Sequence, residues 1–362
     1  MFPPISESPP PPIDRDALRA EAVRVQRRRA ARAALLALIL ASSFGTVWVL
    51  SSGEIPSRSE WAFSATQVEV LQRRGLDGRG VTICLADTGI DAGHPALRGA
   101  PVLAWRDFVD GRVRPYDDDG HGTGMAGLLV GRGPLRGVAP AASLIVAKVL
   151  DSRGRGTSAS LAAAIGFCVD PNGDGDASDG AAIVSLSLAA AQDLPAGTDV
   201  EDAVARALLR GVFIVASAGN DGAADDGDVQ RPASIPDVIA VGAVDAFSVV
   251  ARFSSMGTDA GRADPNRKPE VVAPGVDLLT ASRADTYRLV SGTSASAAVV
   301  SGILALILQE YPALSKAGSP SGVATLKAAL MASARRTPFQ VAPHDARYGY
   351  GIVQAADLAE VL

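Results

Sequence analysis

Five short, nearly continuous apolar runs recur along the chain: VTICLAD (81–87), SLIVAKVL (143–150), AAIVSLSL (181–188), GVFIVASAG (211–219) and VIAVGAV (238–244). None alternates cleanly between apolar and polar. Each therefore reads as a strand buried on both faces, the pattern of a parallel sheet covered by helices. Helical patterns fall between the runs at 123–130, 158–167 and 200–209. Another precedes them at 66–74, and two more are expected near 294–310 and 321–334. Strands alternating with helices predict an α/β fold with a mostly parallel central sheet and helices on both faces. Ligands of such sheets gather at the carboxyl ends of the strands. Chemistry is therefore expected just after each apolar run.

The N-terminus is a different material. Residues 1–12 include six prolines and read as the start of a disordered tail that runs to residue 32. Residues 13–32 carry seven arginines, with Arg24, Arg27, Arg28, Arg29 and Arg32 close together. Ala33 to Leu50 then runs for 18 residues without a charge. As a helix it would span about 27 Å, roughly the hydrocarbon core of a bilayer. An uncleaved signal anchor over 33–50 is expected, with the arginine cluster on the cytoplasmic side. This places the remainder outside the cytoplasm, periplasmic or extracellular. The alternative is a cleaved signal and a secreted product. Residues 51–60 read as a linker and 61–362 as one domain.

The formal net charge of −5 offers no overall basic field for nucleic acid. Two cysteines and three histidines, with no Cys-x-x-Cys pair, argue against structural zinc. Cys84 lies inside the first apolar run and reads as a buried free thiol. A bridge to Cys168 is the alternative outside the cytosol.

Four residues sit where chemistry is expected. Asp87 ends the first run. His121 opens a helix in GHGTGMAG (120–127). Asn220 follows the run 211–219. Ser294 lies in the first turn of a helix after SGTS (291–294). Singly, these serve equally well as a strand terminator, a structural cap, a turn residue and an N-cap. Together, Asp, His and Ser in this order match one of the known triad orders.

DTGID (87–91), GHGT (120–123), AGN (218–220) and SGTS (291–294), in that sequence, resemble the subtilase (subtilisin-like) serine protease family. HP (94–95), GVAP (137–140), FSS (253–255), VVAPG (271–275) and YGYG (348–351) extend the resemblance over about residues 60–360. It implies a subtilisin-like fold and a serine endopeptidase. Ser294 would be the nucleophile, His121 the general base and acid, and Asp87 the group that orients the imidazole. Asn220 and the Ser294 N–H would hold the oxyanion. An extended peptide or protein substrate would pair with Ser187, Leu188 and Ala189 on one side and with Ala218 and Gly219 on the other. Ser291 and Ser296 are expected to be packing residues.

The chain departs from the family in several places. After the nucleophile it reads Ala295-Ser296-Ala297-Ala298-Val299 where the family has Met-Ala-x-Pro-His. Gly124-Met125 replaces His-Val, and Ala189 replaces a Gly, narrowing the groove by a methyl group. No folding propeptide is expected between Leu50 and Asp87. The calcium loop that often follows the His helix is reduced to GRGPLRG (131–137), and Ala96 stands at an acidic position. No cofactor is required for the chemistry. The loop DPNGDGDASDG (170–180) begins like a calcium loop, with Asp170, Asn172, Asp174 and Asp176, but has Ala181 where the closing Glu belongs. Calcium and a solvated turn both remain open there. A second acidic cluster, Asp221, Asp225, Asp226 and Asp228, follows Asn220 and reads as a solubilising loop, the alternative being a preference for basic residues on the substrate. The rival readings of the whole are a pseudoprotease that binds peptides, and a transpeptidase or a regulated processing enzyme with one partner.

Overall fold

A computed structural model describes residues 59–188, 198–222, 227–258, 261–315, 320–340 and 343–362. The expected tail and anchor, 1–50, lie outside the described residues, as do Ala189, Asp225 and Asp226.

Seven strands form one sheet: β1 (Thr82–Asp87), β2 (Val102–Asp107), β3 (Ser143–Lys148), β4 (Ile183–Leu186), β5 (Phe213–Ser217), β6 (Ile239–Val244) and β7 (Val271–Pro274). Their order is β2-β3-β1-β4-β5-β6-β7, and every neighbouring pair is parallel. The five runs read as strands are all present. Successive side chains point to opposite faces, and both faces are apolar. Ile83, Leu85, Leu144, Val146, Phe213 and Val215 enter one core. Ala86, Ile145, Ala147, Val184, Ile214 and Ala216 enter the other.

Helices cover both faces. α1 (Glu60–Ala65), α2 (Val68–Arg73), α3 (His121–Val130), α6 (Thr293–Glu310), α7 (Pro320–Ser333) and α8 (Ala355–Val361) contribute to the first core. α4 (Ser158–Val169) and α5 (Thr198–Leu209) pack on the second. The helix expected at 66–74 is present as α2, and a short helix the sequence did not announce, α1, precedes it. Thr66 Oγ1 donates to Ala62 O at 2.7 Å and closes α1, and Gln67 turns left-handed with φ 58° before α2 begins. α6 is 18 residues long and apolar enough to cross a membrane by length and composition, but it is 83% buried within the fold as its central helix.

Two further strands, β8 (Leu278–Ser282) and β9 (Thr286–Val290), make an antiparallel hairpin that packs on α3. Ser59 Oγ accepts from Leu279 N at 2.7 Å and ties the start of the described chain to this hairpin.

Cys84 on β1 is bonded to Cys168 on α4. This corrects the expectation of a free thiol: α4 crosses beneath β1 with the two Cα atoms 5.6 Å apart, within disulfide reach.

Candidate active site

Asp87 is the last residue of β1 and is wholly buried. The chain leaves it through Thr88 and Gly89 and is met there by the first turn of α3. Gly122 N donates to Thr88 Oγ1 at 2.8 Å, and a Cβ on Gly122 would lie 2.1 Å from Gly89 O. Only glycine permits that approach. Gly120, the N-cap of α3, has φ 100°, a second position that favours glycine. The result is contact between two side chains 34 residues apart: His121 Nδ1 lies 2.7 Å from Asp87 Oδ1. Thr88 N donates to the same oxygen at 2.7 Å, while Asp87 Oδ2 is buried without a partner. Burial pulls the imidazole pKa down, but the charges of Asp87 and Asp119 and the Asp87 hydrogen bond outweigh it, and the net shift is upward. Arg288 acts in the opposite sense.

Two residues missed by the sequence reading hold this junction. Asp117 Oδ1 accepts from Thr88 Oγ1 at 2.9 Å and Gly120 N at 2.7 Å; its Oδ2 accepts from Thr123 N at 2.8 Å and Thr123 Oγ1 at 2.6 Å. Burial raises the Asp117 pKa, but these bonds lower it further, and the group stays a carboxylate. Lys148, fully buried at the end of β3, donates to Thr88 O at 2.6 Å, Asp118 Oδ1 at 2.7 Å and Leu150 O at 2.8 Å. Its ammonium therefore bridges the segment after Asp87 to the segment before His121. DDDGHG carried a signal for the first; Lys148 was hidden inside an apolar run.

Ser294 is in the first turn of α6, and its Oγ donates to Ser187 O at 3.0 Å. Ser187 Oγ donates in return to Ser294 O at 3.0 Å. Asn220 follows β5. Its Oδ1 accepts from Thr293 N at 2.9 Å and lies 3.0 Å from Thr293 Oγ1. This anchors the amide oxygen on the N-terminus of α6 and sets the side-chain amide beside Gly292, where an added Cβ would lie 3.7 Å from Nδ2. The backbone N–H groups at that terminus are also oriented toward negative charge.

The predicted substrate edges flank Ser294. Ser187 and Leu188 follow β4, Ala218 and Gly219 follow β5, and Ser217 Oγ donates to Leu188 O at 3.1 Å, joining the two. Ser296 is a buried packing residue, its Oγ donating to Ala273 O at 3.0 Å. Ser291 is not: it is exposed at the base of the hairpin, where its Oγ accepts from Asp277 N at 2.9 Å.

Several described acidic side chains of the two loops bond within the protein. Asp221 accepts from Gln230 Nε2 at 2.7 Å and from Ser255 Oγ, and Asp228 pairs with Arg262. In the loop 170–180, Asp170 accepts from Gly173 N at 2.7 Å and Gly175 N at 2.9 Å. Asn172 accepts from Asp174 N at 2.9 Å, and Asp174 from Asp176 N at 2.8 Å. These side chains cap their own turns, and among the described residues no group of three acidic, His or Cys side chains is placed to hold a metal.

The sequence profile of the subtilase family matches residues 78–351. This chain belongs to the subtilase family. It is 35% identical over 255 residues to Subtilisin DY of Bacillus licheniformis, covering 69% of this chain and 84% of that protein. It is 34% identical over 258 residues to Subtilisin Savinase of Lederbergia lenta, covering 70% and 86%. Serine protease AprX of Bacillus subtilis (strain 168) is 34% identical over 294 residues, 72% of this chain and 64% of AprX. As a subtilase, the chain is a serine-type endopeptidase, and peptides or proteins are its substrate class.

Proposed function

We propose that this subtilase cleaves peptide bonds through Ser294, His121 and Asp87. The observation that carries the reading is the 2.7 Å contact of His121 Nδ1 with buried Asp87, at the same sheet edge as the N-terminus of α6. Asp87 fixes the tautomer with the proton on Nδ1, leaving Nε2 to act as base. Ser294 Oγ turns from Ser187 O toward Nε2 and attacks the scissile carbonyl. The Oγ proton passes to His121 and the new C–O bond forms. The Asn220 NH2 and the Ser294 N–H take up the oxyanion charge. As the C–N bond breaks, His121 gives the proton to the leaving amine. Water then repeats the sequence on the acyl-enzyme and frees Ser294. No step requires a cofactor.

In the same reading, residues 33–50 anchor the enzyme in a membrane with the catalytic domain outside the cytoplasm. The 18 uncharged residues behind an arginine cluster support it, as does the Cys84–Cys168 bridge, which suits an oxidising compartment.

Full-length protein in detergent, treated with a serine-directed phosphonate probe, tests the chemistry. Labelling that disappears in Ser294→Ala supports an activated Ser294. A folded protein that neither labels nor cleaves any peptide, yet still binds peptides, points to the pseudoprotease instead. Alkaline phosphatase fused after residue 362 tests the topology. Activity that is lost on deleting 33–50 supports export; an inactive fusion rejects it.

A further inference from the structure

The hairpin β8–β9 brings two arginines to the general base. Thr280 on β8 is paired with Arg288 on β9, so the two side chains share one face of the hairpin. Thr280 marks that face as the one against α3, because its Oγ1 donates to Gly124 O. Arg288 accordingly lies over the first turn of α3, with Nη2 3.4 Å from Gly120 O, the carbonyl immediately before His121. Arg283, in the turn of the hairpin, donates from Nη1 to Asp118 O at 2.8 Å.

Neither guanidinium has a carboxylate within ion-pair distance among the described residues. Thirteen ion pairs are formed there, and Arg283 and Arg288 take part in none. Asp119, the nearest acidic neighbour of His121 on its own loop, accepts from His121 N at 3.0 Å instead. For the stability of the fold alone, this is a poor position for a cation. It lies at the positive end of a helix dipole, and its own anchor is one long hydrogen bond to a carbonyl. Arg288 is nevertheless exposed.

The direction of the reaction decides what passes this point. His121 delivers its proton to the leaving amine, so the residues after the scissile bond must lie against His121. The acyl half is taken by the edges after β4 and β5, whereas the hairpin is packed on α3 and runs through Ser291 into the nucleophile helix. We propose that Arg288, supported by Arg283, reads the leaving-group half of the substrate and selects an acidic side chain at the first or second residue after the cleaved bond. The inference rests on the protease reading given above.

The test uses the full-length enzyme in detergent and internally quenched peptides that differ only in carrying Asp, Asn or Lys at those two positions. Within one enzyme preparation the Asp-to-Lys ratio of kcat/KM is independent of how much protein is active. The expected ratio is about tenfold or more at low salt, falling as salt screens the contact. Arg288→Gln should bring it close to unity, Arg288→Glu should invert it, and Arg288→Lys should keep a preference for Asp. A flat wild-type ratio, or a preference that survives Arg288→Gln and Arg288→Glu, overturns the inference while leaving the protease reading intact. Failure to cleave any of the peptides, the Asn series included, overturns both.

Discussion

Ser294 and Ser187 hold each other through two reciprocal hydrogen bonds, each hydroxyl donating to the other's carbonyl at 3.0 Å. The nucleophile of the proposed mechanism thus rests on the backbone of a predicted substrate edge. An extended peptide that pairs with this edge donates its own N–H to the carbonyl that Ser294 now occupies. Binding and release of the hydroxyl toward His121 are then one event. A peptidyl phosphonate methylated on the nitrogen nearest phosphorus cannot make that donation. It should label Ser294 up to about tenfold more slowly than the unmethylated probe, the scale of one lost hydrogen bond. Equal labelling rates would separate the Ser187 carbonyl from substrate binding.

Asn220 has two separable duties, and two substitutions part them. Its Oδ1 accepts from Thr293 N, and the proposed mechanism assigns its NH2 to the oxyanion. Asn220→Asp keeps an acceptor for Thr293 N and loses the donor. It should lower kcat by about 10²–10³ with KM little changed, a scale taken from a subtilisin. Asn220→Ala loses both, and should add a fall in thermal stability to the same loss of kcat. An Asp variant that keeps full kcat would place the oxyanion elsewhere.

The pH dependence follows from the charges around His121. The base must be neutral to accept the Ser294 proton, so kcat/KM should fall as pH drops through the His121 pKa. Burial lowers that pKa, but Asp87 and Asp119 raise it by more. The acidic limb should therefore lie above the ordinary imidazole value of about 6.5. Asp119→Asn should move the limb to lower pH and Arg288→Gln to higher pH, since Arg288 opposes the imidazolium. Stability runs the other way. With the folded pKa raised, protonated His121 stabilises the fold fully below about 6.5, and the contribution is lost as pH rises through the folded value. Profiles of kcat/KM for the three proteins decide the assignment; limbs that do not move would remove Asp119 and Arg288 from the field at His121.

What was legible in the sequence is what burial on both sides writes into it. The five apolar runs became β1, β3, β4, β5 and β6 because their side chains enter two cores at once. The edge strand β2 and the surface hairpin carry no such mark, and β7, though buried, is too short to show it. β2 (VLAWRD) sends Leu103 and Arg106 outward, β7 is four residues ending in Pro274, and β8–β9 is a surface hairpin. The positions of Asp87, His121, Asn220 and Ser294 were legible from motif order, because each follows a strand or opens a helix at the ligand-binding edge. Their supports were not. Lys148 reads as one polar residue in SLIVAKVL, and only parallel pairing of β1 with β3 sets it opposite Asp87. Arg288 shows no motif at all, and its relation to His121 exists only once the hairpin folds onto α3. Cys84 and Cys168 are 84 residues apart, a separation from which pairing cannot be read.

That bridge leads to a prediction about the site as well as the fold. Cys84 is three residues before Asp87 on β1, and Cys168 is near the end of α4, just ahead of the loop 170–180. Closing so long a segment restricts the unfolded chain, and loss of such a bond typically costs about 2–5 kcal/mol. Cys168→Ala in a Cys84→Ala background keeps the two sites small and apolar, so the lost cross-link dominates. Denaturant unfolding of this double variant should show a midpoint well below that of the oxidised protein, and dithiothreitol should lower only the latter. The hydrogen bonds that hold Asp87 and His121 come from Thr88, Asp117 and Asp119, all outside the cross-linked pair. Phosphonate labelling under native conditions should therefore persist in the double variant. A midpoint unchanged by either treatment would show that the thiols do not pair in solution, and would remove the support that the bridge lends to an extracytoplasmic location.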